Sequence, residues 1–401
     1  MGNLISLLQG VVDFPAKGGG IAFIGKAVVS LIKSIYSGGA VSYGVAVILF
    51  ILILKLILLP LDFANKYFTK RNAAQMAKMK PETDALREQY PNDPMALNRA
   101  TREVHKKHGY NMGGFCAVTV VNLVVTLCVF LSVFYSLQAI ANHNVKLTAQ
   151  ELQSVYQTHK TANTIYLVNT EEEQIFTDQF ITDINATYKK RTVGFLWIKN
   201  IWHSDTPWTT ANLTEAEYIR HGEFASDLTS EDKKQQFNTI WSAVSPSQKR
   251  NWNGLLILII LAGVATWVSL YLNGKIMNTQ NKDKQQKQKE TKAQYSLRNV
   301  KNQADKPQNP QIDPAMMTKM MKFILPAIMV IFTMSTTAAL AIYIISNSIF
   351  STALTLGLNY PVDKLIKWQD KRAKNRPDTP PEADPAIINP HAKYFKNKRS
   401  K

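Results

Sequence analysis

The sequence predicts an all-α polytopic membrane protein with five transmembrane helices. Apolar residues make up 46% of the 401 residues and gather into long runs with little or no charge. A helix needs roughly 20 such residues to cross the hydrocarbon core. Lysine and arginine gather instead between alternate runs, and the chain carries a net charge of +18.

Residues 1–40 precede the first span. "FIGKAVVSLIKSIYS" sets Val29, Ile32 and Ile35 near one side and Lys26 and Lys33 elsewhere. This suits either an amphipathic helix lying in the interface or a simple lead-in to the span. "MGNLISLLQGVVDF" lacks the basic n-region and cleavage site of a signal peptide. Its match to a myristoylation pattern at Gly2 and Ser6 is short enough to arise by chance.

Span one is expected at 41–63, where seven leucines, four isoleucines and Phe50 lie between Val45 and Leu61. Each contributes about 0.3–0.6 kcal/mol to insertion, and together they outweigh the roughly 2.5–3.5 kcal/mol cost of one central lysine. That lysine is Lys55. Span two is the charge-free stretch 113–141, and span three is 252–273. No charge occurs from Phe323 to Leu358, which as one helix would measure about 54 Å. Two spans are therefore expected, 314–335 and 337–358, broken at "STT", with Asp313 as N-cap and Pro314 in the first turn. Lys319 and Lys322 would snorkel to the interface.

The loops set the orientation. Residues 64–112 carry Lys78, Lys80, Arg87, Arg99 and Arg102 among other cations. The loop 274–313 is basic too, and the tail 359–401 ends in Lys396, Lys398, Arg399 and Lys401. All three are cytoplasmic by the positive-inside rule, which leaves the N-terminus outside, the C-terminus inside and the mixed-charge segment 142–251 outside. Within 64–112, Phe68, Met76, Met79, Leu86 and Tyr90 recur at near-helical spacing, and Pro91 and Pro94 mark a turn. A helical hairpin follows, read either as a solvated linker or as a basic arm that receives an incoming chain or contacts RNA.

Enzyme chemistry finds little footing. Cys116 and Cys128 would lie about 18 Å apart on one helix, too far for a disulfide. His105 and His108 lack companion ligands, and no nucleophile elbow or phosphate loop occurs. No metal and no cofactor are expected.

Lys55 has no acid beside it. Asp62, at the end of the same span, lies about 10.5 Å away along the axis. The lysine either snorkels to the interface or occupies a wet cavity whose counter-charge comes from another chain. Thr119, Asn122 and Thr126 on span two, and Tyr343, Ser346 and Asn347 on span five, are further polar positions. They would line the same space or make ordinary interhelical hydrogen bonds.

Five fragments occur in order: "SYGVAVILFILILKLILLPLDF", "KMKPETDALREQY", "HGYNMGGFC", "FLWIKNIWHSDTPW" and "MMKFILPAIMVIFTMSTTAALAIYIISN". In this order they resemble the YidC/Oxa family of membrane protein insertases over roughly residues 40–360. The resemblance implies five helices around a hydrophilic groove, open to the cytoplasm and the lipid but closed outside. It places Lys55 at the groove's positive position, usually an arginine, and Tyr343 at a client-contacting tyrosine. Lysine keeps the charge but not the planar fork. Met112 stands where the family commonly has a proline, and residues 145–190 and 212–250 are additions that would form an outer domain or cap.

The expected function is that of an insertase and chaperone receiving nascent hydrophobic segments. The alternatives are a ribosome- or translocon-anchoring subunit and, with less support, a small-solute transporter. Expected partners are nascent membrane proteins, lipids, the ribosome through the basic tail, and the Sec translocon. The bacterial plasma membrane is the expected site.

Overall fold

The computed structural model describes residues 11–37, 41–90, 93–108, 110, 112–162, 165–166, 175–221, 228–249, 252–274 and 314–374. Gly2, Ser6, the basic loop from 275 to 313 and the cluster Lys396, Lys398, Arg399 and Lys401 lie outside them. The chain forms two compact units, one ending at Leu356 and one beginning at Gly357.

Helix α1 (Ala22–Tyr36) buries Val28, Val29 and Ile32 and packs against α2 (Tyr43–Gln89) and α4 (Met112–Thr161). Gly20 turns the chain into it with φ +74°, and the Ile21 N–H reaches Ser132 Oγ at 3.2 Å. A Cβ on Gly18 or Gly19 would collide with Ser136 or Tyr135, so these residues let the backbone run against α4. The amphipathic pattern is thus used against the bundle along one face, while Phe23 stands 76% exposed.

Ser42 caps α2, accepting the Val45 N–H. No helix end falls at Phe63: span one and the first arm of the hairpin are a single helix with Pro60 and Pro81 inside it. Polarity changes there, but no glycine breaks the backbone. The helix ends at Gln89; Pro91, expected to mark the turn, lies outside the described residues. Asp93 accepts the N–H groups of Met95 and Ala96 at 3.0 and 2.9 Å, and Pro94 opens α3 (Pro94–Lys107). Glu82 of α2 meets Lys107 at 3.3 Å and His108 at 2.9 Å, holding the two arms side by side.

Helix α4 likewise continues past Ala141 to Thr161, since 142–161 contains neither glycine nor proline. Its extension carries a small domain. A two-residue ladder, β1 (Ile165–Tyr166) with β2 (Ile175–Phe176), precedes α5 (Asp178–Arg191). There follow α6 (Glu215–His221), α7 (Ser230–Ala243) and α8 (Pro246–Lys249). Leu152 and Tyr156 from α4 are buried with Phe180, Ile184, Tyr218 and Ile240. His159 and Asp183 meet at 2.9 Å, and Phe237 stacks on Trp241 with ring centroids 6.0 Å apart.

The third span is α9 (Ile257–Gly274). The apolar stretch after it divides into α10 (Pro314–Met334) and α11 (Ala338–Gly357), with 335–337 between them. Helices α2, α4, α9 and α11 are long and apolar enough to cross a membrane, and the apolar part of α10 is Phe323–Met334. The protein is an all-α polytopic membrane protein. The second unit contains α12 (Asn359–Lys374).

Candidate functional site

Burial along the spans is uneven. On α2 the buried residues Tyr43, Gly44, Ala46, Val47, Phe50 and Ile51 stop abruptly, and the next is Tyr67 in the hairpin arm. On α4 no described side chain before Ser132 is buried, whereas Ser132, Val133, Ser136, Leu137, Ile140 and Ala141 are. Helix α9 buries Leu258, Ile259, Ala262 and Thr266 but nothing from Trp267 onward, and α11 buries nothing past Ser346. In every case the packed half adjoins the 142–253 segment, and for α2, α4 and α11 the loose half adjoins the hairpin. The bundle is tight at one end and open at the other.

Lys55 sits where the packing opens. It follows Val47 and Ile51 at i+4 steps, so it continues their inward stripe, and Asp62 continues it further. Leu52, Leu56 and Ile57 are the exposed, lipid-side residues around it. Lys55 itself is half-buried. No hydrogen bond or ion pair joins it to a described residue; the opposite charge it feels is that of Asp62. Lys66, one turn past Asp62, donates to the Thr355 carbonyl of α11.

Asn122 is half-buried on the loose part of α4, and its shielded Oδ1 has no partner among the described residues. The shielded Oδ1 of Asn273, at the other end of α9 from the tight half, is likewise unpartnered. Shielded amide oxygens without a protein partner are ordinarily met by ordered water. Thr119 and Thr126 are exposed. Tyr343 and Ser346 are buried and Asn347 half-buried. Tyr343 packs on Phe130, ring centroids 6.1 Å apart, in the last tight layer before the opening. Of the hairpin cations, Arg87 lies 3.9 Å from Asp84, an exposed pair of little energetic weight.

The tight end is sealed by residues 193–213, whose role the sequence left unread. Ile198, Ile201 and Trp202 are buried, and Trp202 packs on Tyr43 with ring centroids 5.0 Å apart. The carbonyls of His203 and Ile201 accept the N–H groups of Ala338 and Ala339 at 2.8 and 3.4 Å, capping α11. Asp205 does the same for α9. Its carboxylate accepts the N–H groups of Leu255 and Leu258 at 2.8 and 2.6 Å and Trp197 Nε1 at 3.3 Å. A negative charge there also meets the positive end of the helix dipole. Gly254 makes this possible, because a Cβ would lie 1.7 Å from Asp205 Oδ1. Asn200 and Asn253 bond reciprocally: the Asn200 N–H donates to Asn253 Oδ1 at 2.7 Å and Asn253 Nδ2 to the Asn200 carbonyl at 2.8 Å. Thr210 and Trp252 form an antiparallel bridge, so the chain between them leaves and returns at one point.

A second tie was also missed. Arg191, 6% exposed, donates from Nη1 to Asp13 at 2.5 Å, from Nε to Glu151 at 2.9 Å and from Nη2 to Glu151 again. Asn144 grips the same strand, accepting the Asp13 N–H at 2.9 Å and donating to its carbonyl at 2.8 Å. Residues 11–14 are thereby fastened to α4 and α5. Lone polar residues far apart in sequence gave no motif for it.

The family described as "60Kd inner membrane protein" has a model that matches residues 34–364. The chain belongs to this family, the YidC/Oxa family. Among its relatives is the "Membrane protein insertase YidC" of Citrifermentans bemidjiense, 31% identical over 131 residues, 33% of this chain and 23% of that protein. The protein of the same name from Clostridium tetani is 31% identical over 110 residues, 27% of this chain and 48% of that protein. That from Fusobacterium nucleatum is 29% identical over 89 residues, 22% of this chain and 42% of that protein. The chain thus spans about a sixth to a half of the length of the curated relatives it matches.

Proposed function

We propose that this YidC/Oxa family member is a membrane protein insertase. It receives nascent hydrophobic segments in the loosely packed, hairpin-side half of its bundle and releases them sideways into lipid. The observation that carries the reading is the placement of Lys55 on the inward stripe of α2 where buried packing stops, with no ion-pair partner among the described residues. A polar or acidic flank of a client would enter beside Lys55, and Asn122 would offer an unpaired acceptor. Tyr343, Ser346 and Asn347 would form the inner end of the space.

Insertion in this scheme makes and breaks no covalent bond. The opening shortens the hydrocarbon path for the client's polar flank, and burial of its apolar residues in lipid drives the reaction. The tight end would keep the bilayer sealed. The hairpin with Lys78, Lys80, Arg87, Arg99 and Arg102 would receive the incoming chain. The tail cluster Lys396, Lys398, Arg399 and Lys401 would contact ribosomal RNA, and the Sec translocon would be a second partner. The hairpin faces the cytoplasm of a bacterial plasma membrane in this orientation.

Purified protein reconstituted in vesicles, offered a short two-span client, tests the reading. Insertion above that of protein-free vesicles supports it. Insertion no better than protein-free vesicles overturns it in favour of an anchoring subunit.

A further inference from the structure

Helix α12, which follows span five, divides into two faces. Val362 is fully buried, and Leu365, Ile366 and Gln369 are half-buried. Tyr360, Lys364, Lys367, Trp368, Lys371 and Arg372 are all exposed, Tyr360 at 75% and Trp368 at 49%. These positions recur at i+3, i+4 and i+7 and so make one stripe. Asp363, the acid on this helix with a described side chain, is half-buried and lies off that stripe. The exposed stripe is therefore cationic and aromatic at once.

We propose that this stripe is a docking surface for anionic phospholipid headgroups. Covalent continuity argues for lipid as the occupant. Helix α11 ends at Gly357 and α12 begins at Asn359, so the chain has only just left the bilayer when the stripe begins. Lying flat along its length of about 24 Å, α12 would hold all four cations within a Debye length, about 10 Å, of the headgroups. Charge complementarity argues the same way, since closely spaced Lys and Arg residues beside a span are drawn to anionic headgroups. The aromatic residues fit that depth, because Trp and Tyr settle where the headgroups meet the acyl chains. Arg372 lies over the Trp368 ring at 3.9 Å. This cation–π contact holds guanidinium and indole together, so that phosphate and acyl boundary can be met by one unit. The docked helix would lie in the membrane plane and fix where the tail after it leaves the surface. None of this depends on whether the chain inserts clients.

The test uses the full chain in two kinds of vesicle, phosphatidylcholine alone and phosphatidylcholine mixed equally with phosphatidylglycerol. Acrylamide quenching, taken as the difference between wild type and Trp368→Phe, isolates this indole from the others. The expected result is about twofold weaker quenching in the phosphatidylglycerol vesicles at low salt, reversed by high salt. The triple variant Lys364→Gln, Lys367→Gln, Lys371→Gln should lose that difference with an unchanged circular dichroism spectrum. Equal quenching in both lipids overturns the proposal. So does protection by polyuridylate in phosphatidylcholine vesicles with none from phosphatidylglycerol, which would assign the stripe to RNA.

Discussion

The Asp205 carboxylate accepts the backbone N–H of Leu258 at 2.6 Å across 53 positions of sequence, so the seal over the tight end also begins the third span. Asp205→Ala removes the acceptor for Leu255, Leu258 and Trp197 together, leaving buried donors unmet. The expected cost is about 1–3 kcal/mol. It would be read as a lowered thermal midpoint in detergent, with Asp205→Asn falling between the variant and wild type.

Gly254→Ala should be as damaging, because its Cβ would displace the Asp205 carboxylate. The two effects share the carboxylate contact, and only the approach to the Asp205 Cα, 2.8 Å from that Cβ, survives Asp205→Ala, so they should add only in part. In a double-mutant cycle on the same thermal assay, Gly254→Ala should cost much less in the Asp205→Ala background. Simple additivity would place the strain elsewhere.

Arg191→Met should loosen the strap at residues 11–14, since it leaves Asp13 and Glu151 without their shared cation. The expected loss is about 2 kcal/mol, less than for a fully buried pair because both carboxylates remain partly wet. Limited proteolysis near Asp13 should accelerate while cleavage in the hairpin stays at the wild-type rate.

His203 gives the seal a pH dependence. Burial holds its imidazole below the ordinary histidine range, and Glu217 opposes this only in part. As pH falls through that range the unfolded chain takes up a proton that the folded chain refuses, so stability declines toward acid and levels off below the folded value. His203→Gln should flatten the thermal midpoint between about pH 7 and pH 5.5.

Lys55→Ala should change stability by no more than about 0.5 kcal/mol, read as a nearly unchanged thermal midpoint, as expected for a side chain with no bonded partner among the described residues. It should nevertheless slow insertion of clients with acidic translocated ends. In a Cys116→Ser, Cys128→Ser background, Lys55→Cys should react with a membrane-impermeant maleimide added from the hairpin side, and Leu56→Cys should not. Equal labelling at both positions would show that Lys55 does not face a wet space.

Much of the fold was legible where the backbone itself carries a signal. Pro314 and "STT" mark the ends of α10 and the start of α11, and Pro94 marks the start of α3. Polarity was a poorer guide, because α2 passes Phe63 and α4 passes Ala141 without a residue that stops a helix. Lys55 drew notice in the sequence for what its neighbourhood lacks, an acid within reach, and in the fold it has no hydrogen bond or ion pair to a described residue. Asp205 and Gly254 were not, because neither is unusual until folding sets one against the other. Arg191 likewise gains its meaning only from Asp13, 178 residues away.

The bridge between Thr210 and Trp252 gives the protein a natural graft site. A segment whose two ends are neighbours can change length at its exposed turns without shifting the helices it hangs from, whereas Tyr218 and Ile240 within it are fixed by their packing with Leu152 and Tyr156. Changes of length confined to those turns would leave the spans in register beneath them.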